Sequence, residues 1–218
     1  MTAPVALFDF DGTLVRRDST RTQAAELARW QTRRALRAVR HAWRLKLSRS
    51  ASSIQSAKCA LLGALVRGRS RAQIDAAVDR AAEIVRKDRR PEVVQAILEW
   101  ANNGGRAIVV SASPGFFLRS ALRDLPVEVI ATEFEVVGDH YNGMLASPVC
   151  FGDAKVAALA SLLGPEARIE QAWSDSLHDL PMMRCAGRRI WLCPPADPVA
   201  VRRADPEGIV MAPRSVAS

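Results

Sequence analysis

Short apolar runs that end in small polar or acidic clusters, alternating with helical patterns, constrain this 218-residue chain most. Val5-Ala6-Leu7-Phe8 runs into Asp9-Phe10-Asp11-Gly12-Thr13, and Ala107-Ile108-Val109-Val110 runs into Ser111-Ala112-Ser113. Val127–Ala131, Ile169–Trp173 and Arg189–Cys193 read as further strands. Between them, Pro91–Asn102 reads as a helix with Pro in its first turn, stopped by Asn103-Gly104-Gly105. Phe116–Leu122 reads as a second helix after the break at Ser113-Pro114-Gly115. Asp153 is expected to cap a third, Ala154–Leu163, which Gly164-Pro165 ends. Phe134–Val149 reads as a β-hairpin with turn signals at Gly138-Asp139 and Asn142-Gly143. Such alternation predicts an α/β fold, a mainly parallel sheet with helices on both faces. Ligands in these sheets bind beyond the carboxyl ends of the strands.

Residues 17–90 break the alternation and contain no convincing strand. Leu36, Val39, Trp43 and Leu47 form one helical apolar stripe, and Ile74, Val78, Ala81 and Val85 form another. The segment is expected to be an all-helical cap (17–90) inserted after the first strand of a core made from 1–16 and 91–218. Charge divides the same way. Residues 16–90 carry 20 Lys and Arg against six Asp and Glu, whereas the remainder carries 11 against 17. Arg29, Arg33, Arg34, Arg37, Arg40, Arg44, Lys46 and Arg49 occur with no acidic residue between 29 and 49. A solvated basic face, attraction of an anionic substrate and docking on anionic lipid beside Trp30 and Trp43 all fit that stretch. Nucleic-acid binding by a catalytically dead relic is the remaining class. The absence of aromatic-basic interleaving argues against it.

No apolar run approaches the roughly 18 residues of a membrane span, and no basic-then-apolar leader is visible. The four cysteines, Cys59, Cys150, Cys185 and Cys193, form no CxxC pair, so zinc and thioredoxin-like chemistry are not expected. Idle thiols suit a reducing cytoplasm, and a basic cap would allow a peripheral position on the inner membrane face.

The chemistry gathers where strands end. Asp9 and Asp11, at i and i+2, point to one side, and Gly12 lets the chain turn. The pair suits a nucleophile beside a general acid and base near a metal, or a solvated acidic turn. Ser111 and Ala112 supply a hydroxyl and backbone N–H groups for a phosphate, or simply a turn. Lys155 lies in a first helical turn, where it pairs with a phosphate oxygen or is merely solvated. Asp175 and Asp179, one turn apart if helical, are further ligands or dipole-favoured carboxylates, with His178 between them.

Taken in this order, the four clusters resemble the four motifs of the haloacid dehalogenase superfamily, over roughly residues 3–15 and 91–195. The insertion after the first motif, Gly143, Cys150-Phe151-Gly152 before Lys155, and Asp179-Leu180-Pro181 resemble its phosphoserine-phosphatase-like branch. The resemblance implies a Rossmann-like core and a Mg²⁺-dependent phosphatase acting on a phosphate monoester, a small phosphorylated metabolite, through an aspartyl-phosphate. Asp9 would be the nucleophile and Asp11 the acid and base. Mg²⁺ would be held by Asp9, the Asp11 carbonyl and Asp175, with Asp179 supporting its waters. Thr13, Ser111, Ala112 and Lys155 would bind phosphate, and Asp18 and His178 would face the substrate. The chain departs from the branch in two places: His178 stands where many relatives have Asn, and Ser113-Pro114-Gly115 replaces Gly-Gly-Phe. The alternative within the resemblance is a phosphatidylglycerophosphate-type lipid phosphatase at an anionic membrane surface.

Overall fold

The computed structural model describes residues 3–29, 50–164, 166–193 and 197–211. Its centre is a six-stranded, wholly parallel sheet in the order β3-β2-β1-β6-β7-β8. The strands are β1 (Val5–Phe8), β2 (Arg106–Pro114), β3 (Val127–Thr132), β6 (Ile169–Ser174), β7 (Arg188–Leu192) and β8 (Ile209–Met211). Strand order runs outward in opposite directions from β1, so the crevice between β1 and β6 is the topological switch point. Asp9 follows β1 there, and its N–H donates to the Trp173 carbonyl across that crevice (2.9 Å).

Period-two alternation sorts the core. Ala6, Phe8, Ala107 and Val109 join one apolar cluster, and Val5, Leu7, Ile108 and Val110 join the other. β1 is fully buried because both faces are covered, as a near-continuous apolar run requires. On the first face lie α4 (Pro91–Asn102) and α5 (Gly115–Ala121), which contribute Val93, Ile97 and Phe117. On the second lie α6 (Asp153–Leu163) and α7 (Leu180–Met183), with Leu159, Met182 and Met183, and α8 (Pro198–Ala204), with Val201.

Among the described residues between β1 and α4 lie the helices α1 (Thr20–Ala28), α2 (Ala51–Val66) and α3 (Arg71–Arg86). The expected stripe on α3 is buried at Ile74, Val78, Ala81 and Val85, and Ser70 and Gln73 close its N-terminus as a capping box. The helix expected over Leu36–Leu47, with Trp30 and the arginines from Arg33 to Arg49, lies outside the described residues.

The structure differs from the sequence expectations at particular points. The hairpin is β4 (Phe134–Val137) with β5 (His140–Leu145), turning at Gly138-Asp139. Asn142-Gly143 is not a turn but part of a bulge inside β5, where three residues, 142–144, stand opposite Glu135 of β4. Gly143 adopts φ +81, and a Cβ there would fall 2.6 Å from the Gly63 carbonyl oxygen of α2. The reciprocal Cβ on Gly63 would lie 2.4 Å from the Gly143 carbonyl, so only two glycines permit this approach. The hairpin therefore joins the inserted helices. The α2–α3 turn pairs with it through Gly68 N–H to the Tyr141 carbonyl (2.6 Å) and Tyr141 N–H to the Arg69 carbonyl (2.9 Å).

Asp153 does not cap α6. Gly152, at φ +57, occupies that position, with no side-chain cap, and Asp153 falls in the first turn. β2 does not end at Val110. It continues to Pro114, with three residues, Ser111–Ser113, opposite Ala131 of β3, because this polar stretch bulges rather than breaking the strand.

Candidate active site

Asp9, Asp11, Ser111, Ala112, Lys155, Asp175, His178 and Asp179 line one cavity of about 460 Å³ beyond the strand ends, together with Asp18 and residues of α2. Thr13 is fully buried and does not line it. The two carboxylates after β1 sit in different surroundings. One Asp9 oxygen accepts from the Lys155 ammonium (2.7 Å) and the other from the Thr13 hydroxyl (3.3 Å). Asp11 accepts from the Ser113 hydroxyl (2.6 Å) and the Ser19 N–H (2.7 Å).

Lys155 is buried and bridges two carboxylates, Asp9 and Asp179 (2.8 Å). Burial alone would drive its pKa down, but Asp179 and Asp9 raise it, so the ammonium stays charged. Asp179 also accepts from the Ser174 hydroxyl (2.8 Å), so both its oxygens are engaged in holding the lysine and the β6 end. The carboxylate of Asp175 lies 3.0 Å from the Thr13 hydroxyl, which itself accepts the Asp175 N–H at 3.0 Å. Thr13 thus ties the first and last motif loops together. Gly12, at φ +90, is the only residue type that fits beside Asp175: a Cβ would fall 2.2 Å from its carboxylate oxygen.

Negative charge exceeds positive here. Desolvation, outweighing Lys155 and reinforced by Asp179 and Asp175, pushes Asp9 up to about 8. Desolvation, together with Asp179, raises Asp175 to about 6 against the hydrogen bond from Thr13. Burial and the charge of Asp18 raise Asp11, while Ser113 and Ser19 oppose them. One buried cation among four carboxylates leaves room for another positive charge. The donors are oxygens, as a hard divalent ion prefers. Among the described residues no three His, Cys, Asp or Glu side chains assemble a metal cage. The residues that fit are Asp9 and Asp175, and Mg²⁺ characteristically takes one or two carboxylates and keeps waters or substrate oxygens. The aspartate side chains have different partners: that of Asp11, whose carbonyl rather than carboxylate was the expected ligand, turns to Ser113 and Ser19, and that of Asp179 to Lys155 and Ser174.

Ser111 is buried and its hydroxyl accepts the Ser113 N–H (3.1 Å), while the Ala112 carbonyl accepts from Thr132 (2.9 Å). These bonds hold the β2 bulge against the cavity. His178 is exposed, its ring 5.3 Å from that of Phe151. Asp18, half-exposed, forms an ion pair with Lys58 of α2. Burial would raise its pKa, but Lys58 and then Thr20 bring it below the usual carboxylate range.

Sequence reasoning overlooked Lys58 and Ser113. Lys58 is the single charge in α2, Ala51–Val66, and a lone charge in an otherwise uncharged helix is a readable signal. Ser113 stood out only as part of the Ser111-Ala112-Ser113 cluster, and its contact with Asp11 carried no signal because it joins residues 102 positions apart. The cysteines form no disulfide. Burial lifts the Cys59 and Cys150 thiols to about 11, consistent with idle groups. No helix among the described residues is long and apolar enough to cross a membrane.

Known proteins resemble this chain in both sequence and fold. The protein CicA of Caulobacter vibrioides is 28% identical over 197 residues, covering 87% of each chain. A Bordetella pertussis protein of unknown function superposes with a TM-score of 0.77 at 21% identity, covering 97% of this chain and 99% of that one. A phosphoserine phosphatase, solved as a phospho-aspartyl intermediate analogue, superposes with a TM-score of 0.57 at 21% identity, covering 97% and 94%. These likenesses establish a shared fold. The family model for haloacid dehalogenase-like hydrolases matches residues 6–184, spanning β1 to the end of α7, so the chain belongs to that hydrolase family.

Proposed function

We propose that the protein is a phosphatase that hydrolyses a small phosphate monoester through an aspartyl-phosphate on Asp9. The observation that carries this reading is the pair of carboxylates two residues apart in opposed settings, Asp9 buried and Asp11 partly buried. Asp9 is held by a charged lysine, and Asp11 by neutral donors. Asp9 attacks phosphorus, and the bond to the leaving oxygen breaks. Asp11, whose pKa burial and Asp18 raise, gives its proton to that oxygen. Asp11 then takes a proton from water, which attacks phosphorus and releases inorganic phosphate from Asp9. Lys155 favours the ionised nucleophile and stabilises charge on the phosphoryl oxygens. A bound Mg²⁺ at Asp9 and Asp175 would supply positive charge against the repulsion between carboxylate and phosphate. The Ser111–Ser113 bulge would bind the phosphoryl group.

The inserted helices, with the β4–β5 hairpin, act in this reading as the cap that encloses the leaving group. Hydrolysis of 4-nitrophenyl phosphate that needs Mg²⁺ and disappears with a chelator is the expected result. No turnover of that ester or of phosphorylated amino acids, sugars, nucleotides and amino-alcohols would overturn the reading. The 460 Å³ cavity favours a small substrate over a lipid. The basic stretch that motivated the lipid reading lies outside the described residues.

A further inference from the structure

On the side of α1 and α2 the reaction cavity shares part of its wall with a second space among the described residues. Asp18, Thr20 and Lys58 line it, and the same three residues line a second, wider groove of about 1280 Å³ between α1, α2 and the end of α3. The Asp18–Lys58 ion pair therefore stands at the junction of two compartments.

Their electrostatics are opposite. The reaction cavity carries Asp9, Asp11, Asp18, Asp175 and Asp179 against Arg16, Lys58 and Lys155, a formal excess of two negative charges. The groove carries Arg17, Arg21, Lys58 and Lys87 against Asp18 and Asp88, an excess of two positive charges. Arg17, Arg21 and Lys87 are exposed and have no ion-pair partner among the described residues. Between these cations the wall is apolar, formed by Ala24, Leu61, Val85 and Ile84, the last 50% exposed.

We infer that the groove receives the far end of the substrate's leaving group, and that this end bears a second anionic group on an apolar spacer. The inference rests on the phosphatase reading above. Asp18, Thr20 and Lys58 line both spaces, so a monoester held at Asp9 would reach the groove past Lys58. The groove's cations attract an anion, and its apolar wall accepts methylenes without loss of hydrogen bonds. Lys58 meets the passing chain once it leaves Asp18, whose carboxylate then stays with the Thr20 N–H (2.9 Å). The substrate class is a soluble phosphomonoester with a distal phosphate or carboxylate.

The test uses matched pairs: α,ω-alkanediol bisphosphates against the corresponding monophosphates, with spacers of two to eight carbons. In the wild-type protein the bisphosphate is expected to exceed its monophosphate in kcat/KM by about tenfold at one or more spacer lengths. That advantage should shrink as salt screens the exposed cations. The double variant Arg21→Glu, Lys87→Glu should lower the ratio within each pair about tenfold. Calorimetric binding of the same pairs reads the preference without turnover. Failure to hydrolyse any monoester sinks the catalytic reading, whereas hydrolysis without preference sinks only the groove assignment. A ratio near one at every length, a ratio unmoved in the double variant, or a preference for long-chain alkyl monophosphates, as a lipid substrate would give, each overturns it.

Discussion

The strand ends around β1 and the inserted helices around α2 face one cavity but are built on different principles. The strand-end half is held by short polar contacts over long sequence separations. Lys155 reaches back 146 residues to Asp9, and Asp175 reaches back 162 to Thr13. Asp9, Lys155 and Asp179 are buried there, Asp11 and Asp175 partly so, and desolvation raises Asp9, Asp11 and Asp175 together. The α2 half is held by apolar packing and by the glycine contact with the hairpin; beside the cavity it meets the other half at the partly exposed Asp18–Lys58 pair, while Arg86 and Arg89, at and after the end of α3, bond to Ser120, Ala121 and Asp124. The difference shows where rigidity and adaptability lie. Chemistry needs fixed geometry, so it sits on the parallel sheet. In the proposed reading, selection of the leaving group falls to the insertion, whose surface elements can vary without disturbing the sheet.

Substitutions can break or sharpen this contrast. The largest effect is expected at Asp9. Asp9→Asn should reduce turnover of 4-nitrophenyl phosphate by more than about 1,000-fold while the protein keeps its melting temperature within a few degrees. Residual activity near wild type would remove Asp9 from the chemistry.

Lys155→Met should affect stability as well as rate. It leaves Asp9 and Asp179 buried without their cation, a loss of about 3–5 kcal/mol. Urea unfolding monitored by circular dichroism measures it, and an unchanged midpoint would mean that the two carboxylates do not depend on the lysine.

Gly63→Ala tests the other half. Helix propensity favours Ala by about 1 kcal/mol. Overpacking costs about 1–3 kcal/mol, and the clashing atom is a backbone carbonyl that cannot rotate away. A lower melting temperature is expected. A raised one would mean that α2 and the hairpin do not dock.

The smallest effect belongs to a control remote from both halves. Asp205, buried beside β7, accepts from Arg189 (2.9 Å) and Trp191 (2.8 Å). Burial would raise its pKa, but these partners hold it below the usual carboxylate range. A depressed folded pKa means stabilisation that is present above the unfolded value, about 3.9, and lost as pH falls through the folded value. Asp205→Asn should therefore cost about 1–3 kcal/mol at neutral pH. The gap from wild type should close as pH drops below about 4, and a gap constant down to pH 2 would contradict the pairing.

Much of the sheet was legible because parallel strands buried on both faces read as uninterrupted apolar runs. Val5–Phe8 and Ala107–Val110 are such runs. β8 was not legible: three edge residues carry too little pattern. α2 escaped because its buried positions, from Ala57 to Val66, include small residues that pack by closeness rather than by bulk. Asn142-Gly143 looked like a turn because the pair suits one, yet its meaning depended on Gly63, 80 residues earlier.

The sequence by itself determined the α/β class, the placing of most strands and the residue types gathered where they end. Those follow from local periodicity and from acidic, hydroxyl and glycine side chains at short spacing. Tertiary structure alone decided how the aspartates divide: Asp11 to Ser113 and Ser19, Asp179 to Lys155, and Asp9 with Asp175 around Thr13. It also decided that Asp18 meets Lys58, joining the reaction cavity to a basic groove. Such pairings depend on distances between loops far apart in the chain, and no local pattern encodes them.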